Sequence, residues 1–330
     1  MKFQPFIVGS GMSAKTIRKA LSIIDIVDSQ LSIAPPIQLA RGQELNGLPE
    51  GFENPILCVG NPHGLHAQYV LQGGDAGFTD IVLDKPACVT LNELDALRSS
   101  PVNVAVLHGF RQMWGPQTMR SMVKSGEMGD LVSLEGRYWQ SSAAEVAVSD
   151  RPPRDKAWKS DLKLNGPYDT YVDLGSHWVD LMLFLAGGKP TQTRSWISHP
   201  NAIAPHRDTH VHLYIEFDAF RTLGSVSKTL HGAGNEMELM LLGTQQAVTW
   251  SLQRPDELRV GRGNEVRLLR RTPARYGSQQ PPFSGTGWLE GYTEIIHSFL
   301  LRRAGVEAPC VPTLSEGLDT MEVLLNSERL

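Results

Sequence analysis

FIVGSGMSA, residues 6–14, places a Gly-x-Gly-x-x-Ala turn between a short apolar run and a helical apolar pattern over residues 13–24. In such a turn the first glycine, Gly9, permits a tight bend, and the second, Gly11, lets the backbone approach a pyrophosphate. The helix that follows offers N–H groups and the positive end of its dipole to an anion. The pattern predicts a dinucleotide site, although a strand–helix turn that merely needs glycine would look the same. The predicted cofactor residues of this turn are Gly9, Gly11, Met12 and Ser13.

The remainder of the first third alternates short apolar runs with helical patterns, which is typical of a parallel sheet with crossover helices. Residues 25–36 fit neither pattern. The predicted strands are residues 6–8, 37–40, 56–60, 81–83 and 102–107, and the predicted helices are residues 13–24, 63–72, 91–99 and 113–124. We therefore predict an N-terminal Rossmann domain over residues 1–125.

The pattern changes after the turn-rich stretch SGEMGD, residues 125–130, where strands begin to follow strands. We expect an open, largely antiparallel sheet that carries a helix at residues 166–186 on one face and leaves the other face for a partner subunit. The predicted strands are residues 131–139, 193–198, 210–217, 223–230, 236–243 and 247–252, and the predicted helices after them are residues 288–303 and 315–325. Residues 271–287, rich in Pro and Gly, predict a long loop. The second domain is predicted as an α/β domain over residues 126–330.

The composition argues against several classes of protein. A chain of 330 residues is longer than one ordinary core supports, so two domains are expected. The 31 basic and 35 acidic residues give a formal net charge of −4 without a basic block, which argues against nucleic acid as a partner. No apolar run reaches the roughly 18 residues that span a bilayer, and no signal peptide is evident, so we expect a cytoplasmic protein without membrane contact. The 3 cysteines lack paired spacing, which argues against a disulfide framework, and we predict no metal.

The end of the second predicted strand bears on the choice of cofactor. A dinucleotide site for NAD has an acidic residue there, which binds the ribose 2′-hydroxyl. This chain instead reads Leu39, Ala40, Arg41, Gly42. Arg41 suits a 2′-phosphate, so NADP(H) is favoured and NAD(H) remains possible. The alternative is that Arg41 is a solvated surface arginine.

Further polar residues follow the third and fourth predicted strands, at the carboxyl edge where parallel sheets hold ligands. Lys85 comes directly after a buried strand, and its neighbour Asp84 is a poor salt-bridge partner, because adjacent strand residues point to opposite faces. The residues at this predicted ligand edge include Asn61, Pro62, His66, Lys85 and Pro86.

A second stretch, GPYDTYVDLGSHWVDL at residues 166–181, places polar residues in an otherwise apolar helical pattern. Asp173 and His177 are four apart and so share one face, with Asp180 a turn further on. Buried polar groups without partners cost on the order of 2 to 7 kcal/mol, so these residues need either partners or a chemical role. From this stretch a helix brace and a catalytic pair are equally compatible.

Taken in order, the motifs resemble the Gfo/Idh/MocA oxidoreductases from residue 6 to the C-terminal helix. The motifs are the glycine turn, NPHGLH, VLDKPACVTLNEL, HGFRQMWGP, SGEMGDLVSLEG, WKSD with GPYDTYVDLGSHWVDL, and PTLSEGLDTMEVLLNS. The resemblance implies a Rossmann domain followed by an α/β domain whose open sheet forms a homodimer or homotetramer. It also implies hydride transfer between a nicotinamide cofactor and a secondary alcohol or ketone of a sugar, cyclitol or sugar derivative.

The resemblance assigns roles to particular residues. Lys85 matches a lysine that touches the nicotinamide ribose and the substrate, while Asp173 and His177 match the family's Asp-x-x-x-His pair, with His177 as acid/base. Asn61, Pro62 and His66 match the segment beside the nicotinamide. The residues at further motif positions near substrate or cofactor are Arg111, Trp158 and Lys159. The chain departs from the family pattern at Asp84, where glutamate is usual, and at Pro167, where glycine is usual.

Other functions remain open at this point. Some relatives hold the cofactor permanently and cleave glycosidic bonds by transient oxidation, and a non-catalytic dinucleotide-binding scaffold or sensor would also fit. A metal enzyme built on His210 and His212 is disfavoured, because no third ligand is evident. A serine hydrolase is disfavoured as well, because no Gly-x-Ser-x-Gly turn surrounds Ser176. The sequence identifies neither the substrate nor the direction of reaction.

Overall fold

The computed structural model describes residues 1–40, 42–48, 50–148, 158–159, 161–199, 207–271 and 288–330. Arg41 and all but the first residue of the predicted loop at 271–287 lie outside these residues. The described α-helices are α1 (Met12–Val27), α2 (His66–Asp75), α3 (Leu91–Arg98), α4 (Trp114–Lys124), α5 (Ser142–Val148), α6 (Leu162–Asn165), α7 (Thr170–Asp173), α8 (Gly175–Ala186), α9 (Trp288–Arg303) and α10 (Leu314–Leu325). The described β-strands are β1 (Lys2–Val8), β2 (Ser32–Ile33), β3 (Ile37–Gln38), β4 (Pro55–Val59), β5 (Asp80–Leu83), β6 (Asn103–Val106), β7 (Leu131–Gln140), β8 (Gln192–Ser198), β9 (His210–Glu216), β10 (Arg221–Ser227), β11 (Asn235–Gly243), β12 (Ala247–Ser251), β13 (Arg254–Arg262), β14 (Glu265–Arg270) and β15 (Glu328–Arg329).

The chain divides into two compact units. The first comprises Met1–Gly109, Trp158–Pro167 and Trp288–Leu325, and the second comprises Phe110–Ala157, Tyr168–Gly287 and Asn326–Leu330. This division differs from the predicted domains 1–125 and 126–330, because α4 belongs to the second unit and the helices α6, α9 and α10 belong to the first. Packing explains the position of α4, since a Cβ atom at Gly115 would overlap the Trp250 ring of β12.

The first unit contains a wholly parallel sheet, as predicted for a Rossmann fold. Among the described residues its strands lie in the order β2-β1-β4-β5-β6, and β3 also pairs with β1. Every strand predicted for this region is present. Residues 25–36, which gave no interpretable pattern, contain the end of α1 and the strand β2. A two-residue strand is too short to show the period-2 alternation that predicts strands.

The core of the first unit includes helix α9. Tyr292, Ile295, Ile296 and Leu300 are at most 2% exposed and pack in one cluster with apolar side chains of α1, including Ile17. Gly291 permits a close approach, because a Cβ atom there would overlap the Gly109 carbonyl oxygen. The apolar face of α9 therefore explains why the chain returns to this unit near its end.

The second unit contains the open sheet. Among the described residues its strands lie in the order β14-β13-β12-β11-β7-β10-β9-β8-β15, and the β7–β10 and β8–β15 pairs are parallel while the others are antiparallel. The predicted open, largely antiparallel sheet is therefore confirmed. The sequence analysis missed β13, β14 and β15. The first two carry charged side chains at many positions, which masks the alternation of apolar and polar residues.

Helix α8 is fixed on one face of this sheet by a buried tryptophan. Trp178 is fully buried and lies over Gly136 of β7 and Gly224 of β10, which face each other in register. A Cβ atom at Gly224 would overlap the Trp178 ring. The two glycines thus form a notch that sets the position of the helix on which His177 lies.

Candidate active site

The predicted dinucleotide turn has the geometry that its glycines suggested. Gly9 has φ +97°, and a Cβ atom there would overlap the Gly60 carbonyl oxygen, so both backbone and space require glycine. Gly11 caps α1 without a side-chain hydrogen bond, and a Cβ atom on it would meet nothing within 4 Å. The first turn of α1 therefore presents backbone N–H groups beside open space, which fits the pyrophosphate of a dinucleotide.

Gln38, the last residue of β3, is hydrogen-bonded to the glycine turn. Its amide nitrogen donates to the carbonyl oxygens of Ile7 and Gly9, both at 2.9 Å, and its side-chain oxygen accepts from Arg18 Nη2 at 3.0 Å. Neither Gln38 nor Arg18 was predicted as a site residue. The sequence feature that could have pointed to Gln38 is the absence of an acidic residue between Ile37 and Gln43.

The ring of His66 lies within hydrogen-bond distance of both segments that carry the other predicted cofactor residues. Its ring is fully buried, with Nδ1 2.7 Å from the Pro86 carbonyl oxygen and Nε2 2.9 Å from the Asn61 carbonyl oxygen. The side-chain oxygen and nitrogen of Asn61 are buried and have no hydrogen-bond partner within the described part of the chain. A buried amide without partners is costly, so these atoms fit a ligand that offers both a donor and an acceptor.

Lys85 is 6% exposed and is anchored through its backbone. Its N–H donates to Asp84 Oδ1 at 3.0 Å, and the same carboxylate oxygen accepts a short hydrogen bond from the Tyr292 hydroxyl of α9. The peptide bond between Lys85 and Pro86 is cis. Asp84 is therefore held by a tyrosine of α9.

Trp158 and Lys159, predicted as substrate residues, belong to the first unit. The Trp158 ring packs edge-on against His63 at a centroid distance of 5.3 Å, and the ammonium group of Lys159 lies 5.6 Å from the Trp158 ring centroid. The structure therefore brings these two residues together with the Asn61–His66 loop.

The predicted helix at residues 166–186 is shorter and is interrupted. Gly166, with φ +76°, ends α6, and the helix begins only at Thr170 because the Asp208 carboxylate accepts the N–H groups of Asp169 and Tyr171, both at 2.6 Å. Leu174 separates α7 from α8. Asp173 therefore ends one helical segment, and His177 lies in the first turn of the next.

Asp173 has a partner that the sequence analysis missed. Lys228 is 2% exposed, and its ammonium group donates to Asp173 Oδ2 at 2.8 Å and to Asp169 Oδ1 at 2.7 Å. Burial by itself lowers the pKa of Lys228, but the two carboxylates outweigh burial and hold that pKa above its ordinary value. The sequence did contain a sign that Lys228 is buried. Side chains alternate between the faces of a strand, and Lys228 continues the inward-facing series of Thr222, Gly224 and Val226.

His177 lies among aromatic side chains. Its ring meets Phe110 at a centroid distance of 4.8 Å and Tyr138 at 5.8 Å, both edge-on. Burial, followed by the negative charge of Asp173, raises the pKa of Tyr138 above its ordinary value. His177 is half-buried, and edge-on contacts of this kind favour the observed orientation of its ring.

Arg111 and Asp180 pair with each other inside the second unit. Arg111 Nε donates to both carboxylate oxygens of Asp180, at 2.9 and 2.8 Å, and Nη2 lies 2.7 Å from Oδ1. Asp180, the third polar residue of the 166–181 stretch, therefore has a structural partner. The predicted substrate role of Arg111 stays a prediction.

The remaining predictions concern metals and membranes. Among the described residues, no group of three or more His, Cys, Asp or Glu side chains could hold a metal ion. His210 and His212 face each other with their Nε2 atoms 3.0 Å apart. In the described ranges, no helix is both long and apolar enough to cross a bilayer.

The fold and the separate features of its two units define a Rossmann unit with a dinucleotide-type turn and an α/β unit with an open sheet. Residues 117–249, most of which lie in the second unit, match the model of the GFO/IDH/MocA C-terminal domain. The resemblance predicted from the sequence is thereby confirmed.

Named relatives agree with this assignment. The chain is 23% identical over 297 residues to levoglucosan dehydrogenase of Pseudarthrobacter phenanthrenivorans, covering 79% of this chain and 74% of the relative. An inositol dehydrogenase homolog complexed with NAD⁺ from Azotobacter vinelandii superimposes with a TM-score of 0.80 at 18% identity, covering 98% of this chain and 94% of the other. Levoglucosan dehydrogenase in complex with NADH and levoglucosan gives a TM-score of 0.76 at 19% identity, covering 98% and 95%. These likenesses confirm the predicted fold class.

Proposed function

We propose that the protein is a nicotinamide-dependent dehydrogenase that transfers a hydride between the cofactor and a secondary alcohol or ketone of a sugar, cyclitol or sugar derivative. The observation that carries the proposal is the placement of Asp173 and His177 in a unit that matches the GFO/IDH/MocA C-terminal domain. The dinucleotide-type turn at Gly9 and Gly11 in the other unit supports it. Relatives named as dehydrogenases of levoglucosan and of inositol point to the substrate class.

The proposed roles follow from the chemistry of alcohol oxidation. A bound nicotinamide supplies the acceptor or donor of the hydride. His177 takes the proton of the substrate hydroxyl during oxidation and returns it during reduction. Asp173 orients the imidazole or binds a neighbouring hydroxyl, and the ammonium group of Lys85 stabilises negative charge that develops on the substrate oxygen. Arg111, Trp158 and Lys159 are proposed to contact the substrate.

The cofactor is proposed to lie along the first unit. The backbone of Gly9, Gly11, Met12 and Ser13 would hold the pyrophosphate, and Asn61, whose amide has no hydrogen-bond partner within the described residues, would offer its side chain to the nicotinamide end. The proposed nicotinamide-end contacts also include Pro62, His66, Lys85 and Pro86. We infer a preference for NADP(H) over NAD(H), because residues 37–43 contain no carboxylate to bind a ribose 2′-hydroxyl and because Arg41 suits a 2′-phosphate.

Titration of the purified protein with NADPH and NADH separately, followed by nicotinamide fluorescence, tests the cofactor half of the proposal. Selective binding of NADPH would support both the site and the preference, and selective binding of NADH would retain the site and overturn the argument from Arg41. Binding of neither, with no cofactor already bound, would favour a non-catalytic scaffold.

Reduction of the oxidised cofactor in the presence of levoglucosan, myo-inositol and related sugars tests the other half, with absorbance as the readout. A cofactor that copurifies and is never reduced in net terms, while glycosides are cleaved, would instead identify a glycosidase that uses transient oxidation. Absence of any turnover across sugars and cyclitols would contradict the dehydrogenase.

The outer face of the second sheet is proposed to join copies of the chain into a homodimer or homotetramer. Trp196 and Leu223 lie on this face and are 56% and 55% exposed, although both are large apolar side chains. Sedimentation of the protein and of a Trp196→Glu variant tests this. A monomer in both cases would contradict it.

A further inference from the structure

Lys228 is the most completely buried cation of the second unit for which contacts are described, and it joins three segments of that unit. Its ammonium group donates to Asp169 and Asp173 at the two ends of the α7 segment. Its N–H donates to the Thr209 carbonyl oxygen at 2.9 Å, and its carbonyl oxygen accepts from the N–H of Ala143 in α5 at 2.8 Å. The side chain of Lys228 therefore contacts the α7 segment, while its backbone is bonded to Thr209 and to the start of α5.

The ammonium group of Lys228 is shared by two carboxylates. Asp169 and Asp173 together carry two negative charges against one positive charge, and all three side chains are at most 15% exposed. Like charges placed close together in a poorly solvated region repel strongly. An opposite charge within about 4 to 6 Å favours the ionised form of a carboxyl and typically lowers its pKa by about 1 to 3 units. Lys228 is thus the group that permits two carboxylates to lie side by side here.

Other charged and titratable groups complete the surroundings. The carboxylate of Asp208, before β9, accepts hydrogen bonds from the backbone N–H groups of Asp169 and Tyr171. Tyr138 of β7 and His177 of α8 lie on the neighbouring elements and pack against each other. Arg207 precedes Asp208, and Glu145 of α5 is exposed and accepts a short hydrogen bond from Ser141. Within this surrounding, Lys228 donates to the Asp173 carboxylate at 2.8 Å.

We propose that Lys228 is a positioning residue for the reaction. By holding Asp173 as an ionised carboxylate in a fixed orientation, it sets the pH range over which Asp173 and His177 act on the substrate hydroxyl. The inference rests on the proposed function for its catalytic part. It extends that function, because it assigns the pH dependence of the site to a residue of the sheet rather than to the helix that carries the reacting side chains.

The first experiment needs no substrate. Lys228→Met removes the cation and keeps the length of the side chain, leaving two adjacent carboxylates whose repulsion protonation relieves. The free energy of unfolding should therefore fall most near neutral pH, and the difference from the parent protein should shrink towards about pH 3, where carboxyls bind protons in both proteins. Arg120→Met is the matched control, because Arg120 donates to the Leu185 carbonyl oxygen rather than to a carboxylate. Its cost in stability should not depend on pH in this way.

The second experiment measures the dependence of kcat/KM on pH with whichever sugar or cyclitol the parent oxidises. Lys228→Met should move the acid limb to higher pH by about 1 to 3 units. Lys228→Met combined with Asp169→Asn restores the original net charge and should move the limb back. In Asp169→Asn alone, the ammonium group of Lys228 pairs with the Asp173 carboxylate only, so the acid limb should move to lower pH. This variant keeps the inference testable even where Lys228→Met does not fold.

The outcomes separate this inference from the proposed function. A stability loss that is independent of pH, with an unmoved acid limb in all three variants, would make Lys228 a structural residue only and overturn the inference. If the parent turns over no substrate, the proposed function fails, and the stability measurement by itself still decides whether Lys228 sets the charge of Asp173.

Discussion

Arg111 and Asp180 form a buried bidentate ion pair in the second unit, with side chains that are 6% and 2% exposed. Arg111 also lies 5.4 Å from the ring centroid of Phe184 on the same helix as Asp180. A fork-shaped guanidinium that meets both carboxylate oxygens is held in one orientation. The pair therefore anchors the start of the second unit to α8, which carries His177.

Loss of one partner of this pair should be costly. Asp180→Asn leaves the guanidinium of Arg111 buried without a countercharge, and removal of one partner of a buried pair typically costs about 3 to 5 kcal/mol. Urea-induced unfolding measures the change. The control is Glu238→Gln, because Glu238 pairs with Arg137 at 2.9 Å where both side chains are more than a third exposed. That change should cost about 0 to 1 kcal/mol. Equal costs for the two variants would refute the structural role of the Arg111–Asp180 pair.

His177 should be required for turnover but not for cofactor binding. His177→Ala removes the proposed proton acceptor and should lower kcat by about 10² to 10⁴ fold, while nicotinamide fluorescence still reports dinucleotide binding by the first unit. His231→Ala, at an exposed position outside the site, is the control and should leave kcat unchanged. Unchanged turnover in His177→Ala would remove this residue from the mechanism.

The two glycines of the dinucleotide turn should respond differently to the same substitution. Gly9→Ala forces a side chain onto a backbone with φ +97° and against the Gly60 carbonyl oxygen, so it should lower the free energy of unfolding by about 1 to 3 kcal/mol. Gly11→Ala meets nothing within 4 Å and should leave stability within about 0.5 kcal/mol, yet it should weaken dinucleotide binding, because its methyl group enters the space proposed for the pyrophosphate. Thermal unfolding and fluorescence titration of both variants distinguish the effects. Unimpaired binding by Gly11→Ala would place the dinucleotide elsewhere.

The sequence was informative wherever a local pattern decides the structure. Buried parallel strands appear as short apolar runs, and the glycine turn at residues 9–14 combines backbone geometry with spacing, so the Rossmann unit was predictable in outline. The 166–181 stretch likewise revealed that its polar residues needed partners. Which partners they have was beyond local patterns, because Lys228 meets Asp173 across 55 residues and Arg111 meets Asp180 across 69.

The division of the chain into its two units could not be predicted from local patterns for a related reason. Helix α9 packs against α1, and Tyr292 reaches Asp84 across 208 residues. The apolar face of α9 was visible in the sequence, but an apolar face indicates only that a helix is buried. It does not say against which sheet the helix packs.

Thiol reactivity should follow burial closely. Burial raises the pKa of Cys58 to about 12, and burial together with Glu93 raises the pKa of Cys88 as well, whereas Cys310 is exposed. Since the thiolate is the reactive form, a thiol reagent at neutral pH should label one thiol per folded chain and all 3 after denaturation. Cys310→Ser should abolish the labelling of the folded protein. Labelling of Cys58 or Cys88 on the same timescale would indicate that the first unit opens readily.

Tyr292 should stabilise the segment that carries Lys85. Its hydroxyl donates to the same Asp84 oxygen that accepts the N–H of Lys85, and its ring is 2% exposed within the apolar core. Tyr292→Phe keeps the ring and removes one donor from a buried carboxylate, which should cost about 1 to 3 kcal/mol of the free energy of unfolding. Tyr69→Phe is the matched control, since that hydroxyl donates to the Gln43 carbonyl oxygen at a long 3.4 Å, and it should cost less than about 1 kcal/mol. Because the hydrogen bond also fixes the backbone of Lys85, Tyr292→Phe should weaken dinucleotide binding, and Tyr69→Phe should not. Equal stability and equal binding in both variants would mean that Asp84 holds Lys85 without help from α9.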